Sequence, residues 1–195
     1  MSAKKQLSSF MRPIFPSPAG LITCVDAAGK ANIITLGEVF NLSVAKPAIV
    51  GIAIAPMRYS HELIRTTRQF VVNLPRASML DQVLKCGTSS GRVTDKFKAY
   101  GLTPLPASKV KPPLIAECPV NIECELMGDP VSIGDHDLFR GLVVAQHVDE
   151  ACLTPEGKID VDKTDMLVFA EWGFWTAGRR IGEYGRKSKP AEGKK

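Results

Sequence analysis

A mainly β chain, folded as an antiparallel barrel or sandwich with only short connecting helices, is what the sequence predicts. Three observations carry that expectation. About seven or eight short stretches have strand patterning and are bounded by turn residues. The helical periods between them are brief, so helices act as connectors rather than as a layer. Residues 120–126 alternate apolar and acidic side chains, which predicts an antiparallel strand with one wet face.

In chain order, residues 13–18 hold three prolines and are expected to lack regular structure. Residues 21–25 read as a strand, 26–30 as a hairpin turn and 31–36 as the returning strand, with Asn32 and Thr35 as polar interruptions. Residues 48–54 are apolar on both faces and should be buried. A loop and a helix with Ser60 as N-cap follow, then a strand at 69–73. Met79, Leu80, Val83 and Leu84 recur at helical spacing. The four prolines between 102 and 113 imply an extended crossing. Strands are expected at 120–126, 138–148 and, last, 165–170.

Residues 86–97 concentrate glycines, hydroxyls, Arg92 and Lys96, a composition suited to an anion such as phosphate. A solvated turn has the same composition. The segment also spells G-x-S-x-G with Ser89 in the nucleophile position. That elbow requires a preceding strand, and the helical spacing before it argues against hydrolase chemistry. Arg58 and Ser60, at a helix N-terminus, form a second anion-site candidate.

The net charge of +5 is concentrated at the end: residues 185–195 carry five basic side chains against Glu192, a net +4, which leaves about +1 for the remainder. Without a basic stripe elsewhere, nucleic-acid binding is not expected. The longest apolar run, 48–57, contains Gly51 and Pro56 and is too short to span a membrane. Residues 1–6 lead into no apolar signal core, so a cytoplasmic location is expected. The five cysteines form no C-x-x-C and the three histidines lie far apart, so buried free thiols and no metal site are expected. Cys118 and Cys124, six apart, would share a face of a continuous strand. Trp172, Phe174, Trp175 and Tyr184 cluster near the end, as packing or as a platform for a flat ring.

Taken in order, several stretches resemble the flavin reductase-like family of FMN-binding split barrels, which includes flavoredoxin. They are Asn32-Ile33-Ile34-Thr35, Arg58-Tyr59-Ser60-His61-Glu62 with Phe70-Val71-Val72-Asn73 behind it, Cys86-Gly87 through Asp95-Lys96-Phe97, Glu117-Cys118-Pro119 with Glu123-Cys124, and Gly134-Asp135-His136. The resemblance implies a homodimer of antiparallel Greek-key split β-barrels, each with one non-covalent FMN. The domain would occupy residues 13–184, between a lead at 1–12 and a basic tail at 185–195. Asn32 and Thr35 would lie along the isoalloxazine edge with Ile33 between them among the cofactor-binding residues. Arg58, Tyr59, Ser60 and Lys96 would surround the phosphate, joined by Ser89 and Ser90. His136 would face the flavin as the catalytic residue. Where the family often carries a flavin-facing aromatic, Glu38 or Phe40 stands here. The implied activity is an NAD(P)H:flavin oxidoreductase passing electrons to free flavin, a metal complex or a partner protein. An electron carrier without NAD(P)H oxidation, or a non-enzymatic cofactor-binding barrel, are the alternatives. No Rossmann or Walker glycine motif occurs, so a nicotinamide would lie directly on the FMN.

Overall fold

The protein, seen in a computed structural model, is described over residues 3–8 and 13–182. Strands β1 (Ser17–Pro18), β2 (Gly20–Val25), β3 (Ala31–Leu36), β4 (Val39–Ser43) and β5 (Ile49–Ile54) lead to helix α1 (Tyr59–Thr67). After β6 (Gln69–Leu74) come α2 (Leu80–Thr88), α3 (Lys96–Tyr100), β7 (Pro104–Leu105) and β8 (Leu114–Ile115). Then follow β9 (Val120–Leu126), β10 (Val131–Ser132), β11 (Asp137–Val148), α4 (Val161–Thr164), β12 (Leu167–Ala170) and β13 (Gly173–Thr176).

The main sheet runs β3-β2-β6-β9-β11-β5-β4 with every pairing antiparallel, and β10 adds to β11. It curls until β3 touches β5, although the two stand five places apart in that order. Inside the curl, Ile22, Ile34, Ile52, Phe70 and Phe139 form one core, into which α1 inserts Leu63 and Ile64. A second core lies outside β2 and β3, where Leu21 and Ile33 meet Met79, Val83 and Cys86. The expected mainly β, antiparallel split-barrel architecture is therefore present.

Local chemistry explains the turns. Asp26 Oδ1 accepts from the N–H groups of Ala28 and Lys30 and closes the β2–β3 hairpin. Arg68 ends α1 in the left-handed conformation and sends the chain straight into β6.

Four expectations need correction. Residues 17–18 do pair, as β1 against Phe169 and Val168 of β12, because an edge strand tolerates proline. The final strand is β13, which carries Phe174 and Trp175 back along β12. Strand β4 had no clear periodicity in the sequence because three of its five residues are exposed. The acidic face of β9 is not wet at its centre. Glu123 is fully buried under residues 106–113 and accepts from the N–H groups of Ser108, Lys109 and Val110 and from His147 Nε2. Burial pushes its pKa up, but those donors outweigh it and hold the pKa down to about 2. Cys118 precedes β9 and packs in the outer core while Cys124 packs in the inner one, so the two do not share a face. All five cysteines are free and buried. The basic stretch 185–195 and Tyr184 lie outside the described residues.

Candidate functional site

The cleft begins with α1. Its first turn has Arg58 at the cap in extended backbone, and no side chain satisfies the leading N–H groups. Ser60 is not the N-cap: it sits inside the first turn, 1% exposed, where its Oγ accepts from Asn32 Nδ2 at 2.8 Å. A hydroxyl already inside the helix cannot reach back to cap it.

The second wall is the chain leaving α2. Helix α2 runs through Cys86, Gly87 and Thr88, so the expected loop is shortened to residues 89–95. A helix precedes Ser89, which removes the nucleophile elbow. Ser89 Oγ donates to Lys85 O at 2.7 Å, and Ser90 Oγ accepts from Arg92 N, which leaves the Ser90 hydroxyl proton free of both bonds. Arg92 lies over the Tyr59 ring at 4.4 Å and pairs with Glu62 at 2.7 Å, joining this loop to α1. Gly91 is buried against Asn32, and a Cβ there would stand 1.9 Å from Asn32 Oδ1.

These walls enclose about 240 Å³ lined by Asn32, Arg58, Ser60, Gly87, Ser90 and Lys96, among others. The two anion-site candidates, 26 residues or more apart in sequence, meet in one place. Lys96 is 3% exposed and its Nζ donates to Ile33 O at 2.6 Å and Cys86 O at 2.7 Å. Asn32 Oδ1 is buried with no donor. Arg58 is exposed, and among the described residues its guanidinium makes no hydrogen bond or ion pair. Burial raises the thiols of Cys24 and Cys86 to about 12 and about 11, so neither supplies a thiolate here at neutral pH.

A second space of about 350 Å³ continues from the first through the shared residues Ile34, Arg58 and Gly87. Much of its wall is apolar, with Leu36, Ala55, Leu84, Phe169 and Phe174, and Trp172 at the lip. Phe169 and Phe174 meet edge to face at 5.0 Å on the β12–β13 hairpin. Thr35 lines this half, but its Oγ1 donates to Val83 O at 2.6 Å. Asn32 lies in the other half, since residues three apart on a strand face opposite ways. His136 is half-buried at the rim, its Nδ1 held 2.9 Å from Asp135 Oδ1. Glu38 lines this half, whereas Phe40 points away and its ring fills the place of a side chain at Gly51. His61 is elsewhere, bonded to Asp137 at 2.8 Å and packed on Phe139. Among the described residues no cluster of metal-ligating side chains occurs.

The family model described as a flavin reductase like domain matches residues 11–171. The chain belongs to that family. It is 35% identical over 159 residues to an uncharacterized protein of Archaeoglobus fulgidus, covering 82% of this chain and 86% of that one. It is 27% identical over 128 residues to an NADH:riboflavin 5'-phosphate oxidoreductase of Streptomyces pristinaespiralis, covering 66% of this chain and 69% of that one. Among solved structures, the flavoredoxin of Desulfovibrio vulgaris (Miyazaki F) superposes with a TM-score of 0.87 at 25% identity, over 96% of this chain and 100% of that one. Membership of the flavin reductase like family supports a flavin cofactor and an oxidoreductase role. No helix among the described residues is long and apolar enough to cross a membrane.

Sequence reasoning offered Trp172 and Phe174 as packing or as a ring platform but missed the apolar walls Ala55, Leu84 and Phe169. They carry no signal of their own, because an apolar residue at a strand end reads as core. It also missed the Arg92–Tyr59–Glu62 link, which only folding brings together.

Proposed function

We propose that the chain binds FMN without a covalent bond across the two halves of this cleft and works as an NAD(P)H-dependent flavin oxidoreductase. The observation that carries the proposal is the meeting of two separated basic turns in one cleft that opens into an apolar, aromatic-walled space. The residues fit the group. Arg58, Arg92, the third N–H of Lys96 and the uncapped turn of α1 suit a phosphate dianion. The orphaned Asn32 Oδ1 suits a hydroxyl donor on the ligand. The apolar half suits a flat ring.

When bound, the flavin supplies hydride acceptance from a nicotinamide and onward release of electrons. The chain's residues do the rest. Arg58 and Lys96 neutralise the phosphate, Ser90 donates its hydroxyl proton, and Tyr59 and Ser60 offer backbone N–H groups. Ile33 gives the β3 backbone that Lys96 grips, while Thr35 fastens α2 behind the ring. Leu36, Ala55 and Phe174 exclude water. His136, oriented through Nδ1 by Asp135, presents Nε2 at the rim as the site for proton exchange. Electrons would leave to free flavin, a metal complex or a partner protein.

The exposed Phe40 and Leu42 on edge strand β4, with Val44 just after it, fit a second copy of the chain, and the free thiols fit a reducing, cytoplasmic setting. The domain would then extend over residues 13–184. A carrier of the flavoredoxin type, reduced by another protein, is favoured by the superposition on flavoredoxin.

A visible spectrum of the purified protein, followed by anaerobic addition of NADH and of NADPH, tests both. The expected result is a flavin spectrum bleached by one of the donors. No bleaching with either leaves the carrier, and a colourless protein that takes up no added FMN ends both. Light scattering of the same sample reads the expected dimer mass.

A further inference from the structure

Lys96 begins α3 at the back of the basic half, with its Nζ clamped between two backbone carbonyls. Ile33 O belongs to the edge strand β3, and Cys86 O to the last turns of α2. An ammonium has three donors, so one N–H remains after these two. No carboxylate among the described residues pairs with it. The groups facing it are the thiols of Cys24 on β2 and Cys86 on α2, both kept protonated at neutral pH, and the guanidinium of Arg58 ahead of α1. The charged neighbour is thus a second cation. A lysine buried at 3% exposure beside another positive charge is held for something other than an internal partner.

We infer that Lys96 is a positioning residue whose ammonium fixes α2 against β3 and so sets the width of the basic half, and that a dianion binding there takes up one proton in alkaline solution. The inference rests on the proposal that this half receives a phosphate. In the empty protein, burial lowers the Lys96 pKa, Arg58 lowers it further, and the two thiols oppose the fall. A dianion beside Nζ favours the charged form and raises the pKa again. Below the lowered pKa both states are protonated and affinity is full. Affinity falls as pH rises through that pKa and levels off above the pKa of the loaded protein. The balance is one neutral amine, one proton and one dianion giving an ammonium–phosphate pair.

The test titrates the full-length apoprotein with FMN and separately with riboflavin, from about pH 7.5 to about pH 10.5, with calorimetry in two buffers of different ionisation heat. The expected log affinity for FMN falls with a slope approaching −1 per pH unit, with proton uptake approaching one. K96R keeps its charge throughout and should lose this slope, as should K96M at roughly tenfold lower affinity or more. Titration of the ring itself recurs in riboflavin and in both variants and is subtracted. If wild type retains the slope of K96R and K96M, Lys96 is not the proton acceptor and the inference falls. Should K96M fail to fold, K96R alone decides. Equal affinity for FMN and riboflavin at every pH would instead remove the phosphate from this half, and with it the underlying proposal.

Discussion

The two halves of the cleft are built on different physics. The basic half is made by turns and helix ends, and it selects by charge and by hydrogen-bond donors that have no internal partner. The apolar half is made by strand ends and the β12–β13 hairpin, and it selects by shape. The first is dense in polar groups whose partners are named atoms, such as Lys96 with Ile33 O and Cys86 O. In the second, apolar side chains make up most of the wall; His136, Glu38, Thr88 and the shared Arg58 are its polar lining, and Thr35 is already bonded to Val83 O. Affinity should therefore depend on the basic half and reaction rate on the rim of the apolar half.

The comparison breaks most readily at Gly91. In G91A the new methyl must displace Asn32 or the loop, and overpacking of about 1–3 kcal/mol predicts roughly 10- to 100-fold weaker FMN binding in a fluorescence titration. Wild-type affinity in G91A would mean that the basic half is not formed by this loop. R58A removes a charged donor and should weaken FMN by about 1–2 kcal/mol, roughly tenfold, while riboflavin binding stays unchanged. Equal losses for both ligands would show that Arg58 serves the ring instead of the phosphate.

H136Q sharpens the contrast from the other side. FMN affinity should change by less than about twofold, and stopped-flow reduction by the nicotinamide should slow by roughly 100-fold, as for loss of a general acid or base. Glu123 is the control, remote from the cleft. E123Q should leave ligand affinity unaltered at neutral pH and alter acid unfolding. The Glu123 carboxyl is lowered to about 2 in the fold, below its unfolded value of about 4.5. Its contribution is present above the unfolded pKa and lost as pH falls through the window between the two values. Circular dichroism on acidification should show wild type losing, across that window, an advantage over E123Q that it holds at neutral pH.

How much of this was legible in the chain differs between elements. Strand-like runs at β2, β3, β5, β6, β9 and β11 and the helical spacing in α2 were readable, because composition and turn residues mark such segments locally. Strand β13 was hidden inside an aromatic cluster, and β1 inside a proline run. At the site, Arg58, Ser60 and Lys96 were visible as residue types suited to an anion. Their partners were not: Ser60 accepts from Asn32, and Lys96 clamps two carbonyls rather than standing free in a loop.

By itself the sequence determined the strand and helix periods, the supply of hydroxyls and cations in two short turns, and the absence of a metal-ligand spacing. These are local properties, written in neighbours a few residues apart. Tertiary structure decided that the two turns face one another, that Glu123 is dry, and that Leu84 and Phe169 are walls of a cleft instead of core. Those outcomes depend on the curl that brings β3 to β5 and on helices laid across its edge, and contacts between residues so far apart leave no periodic trace in a single chain.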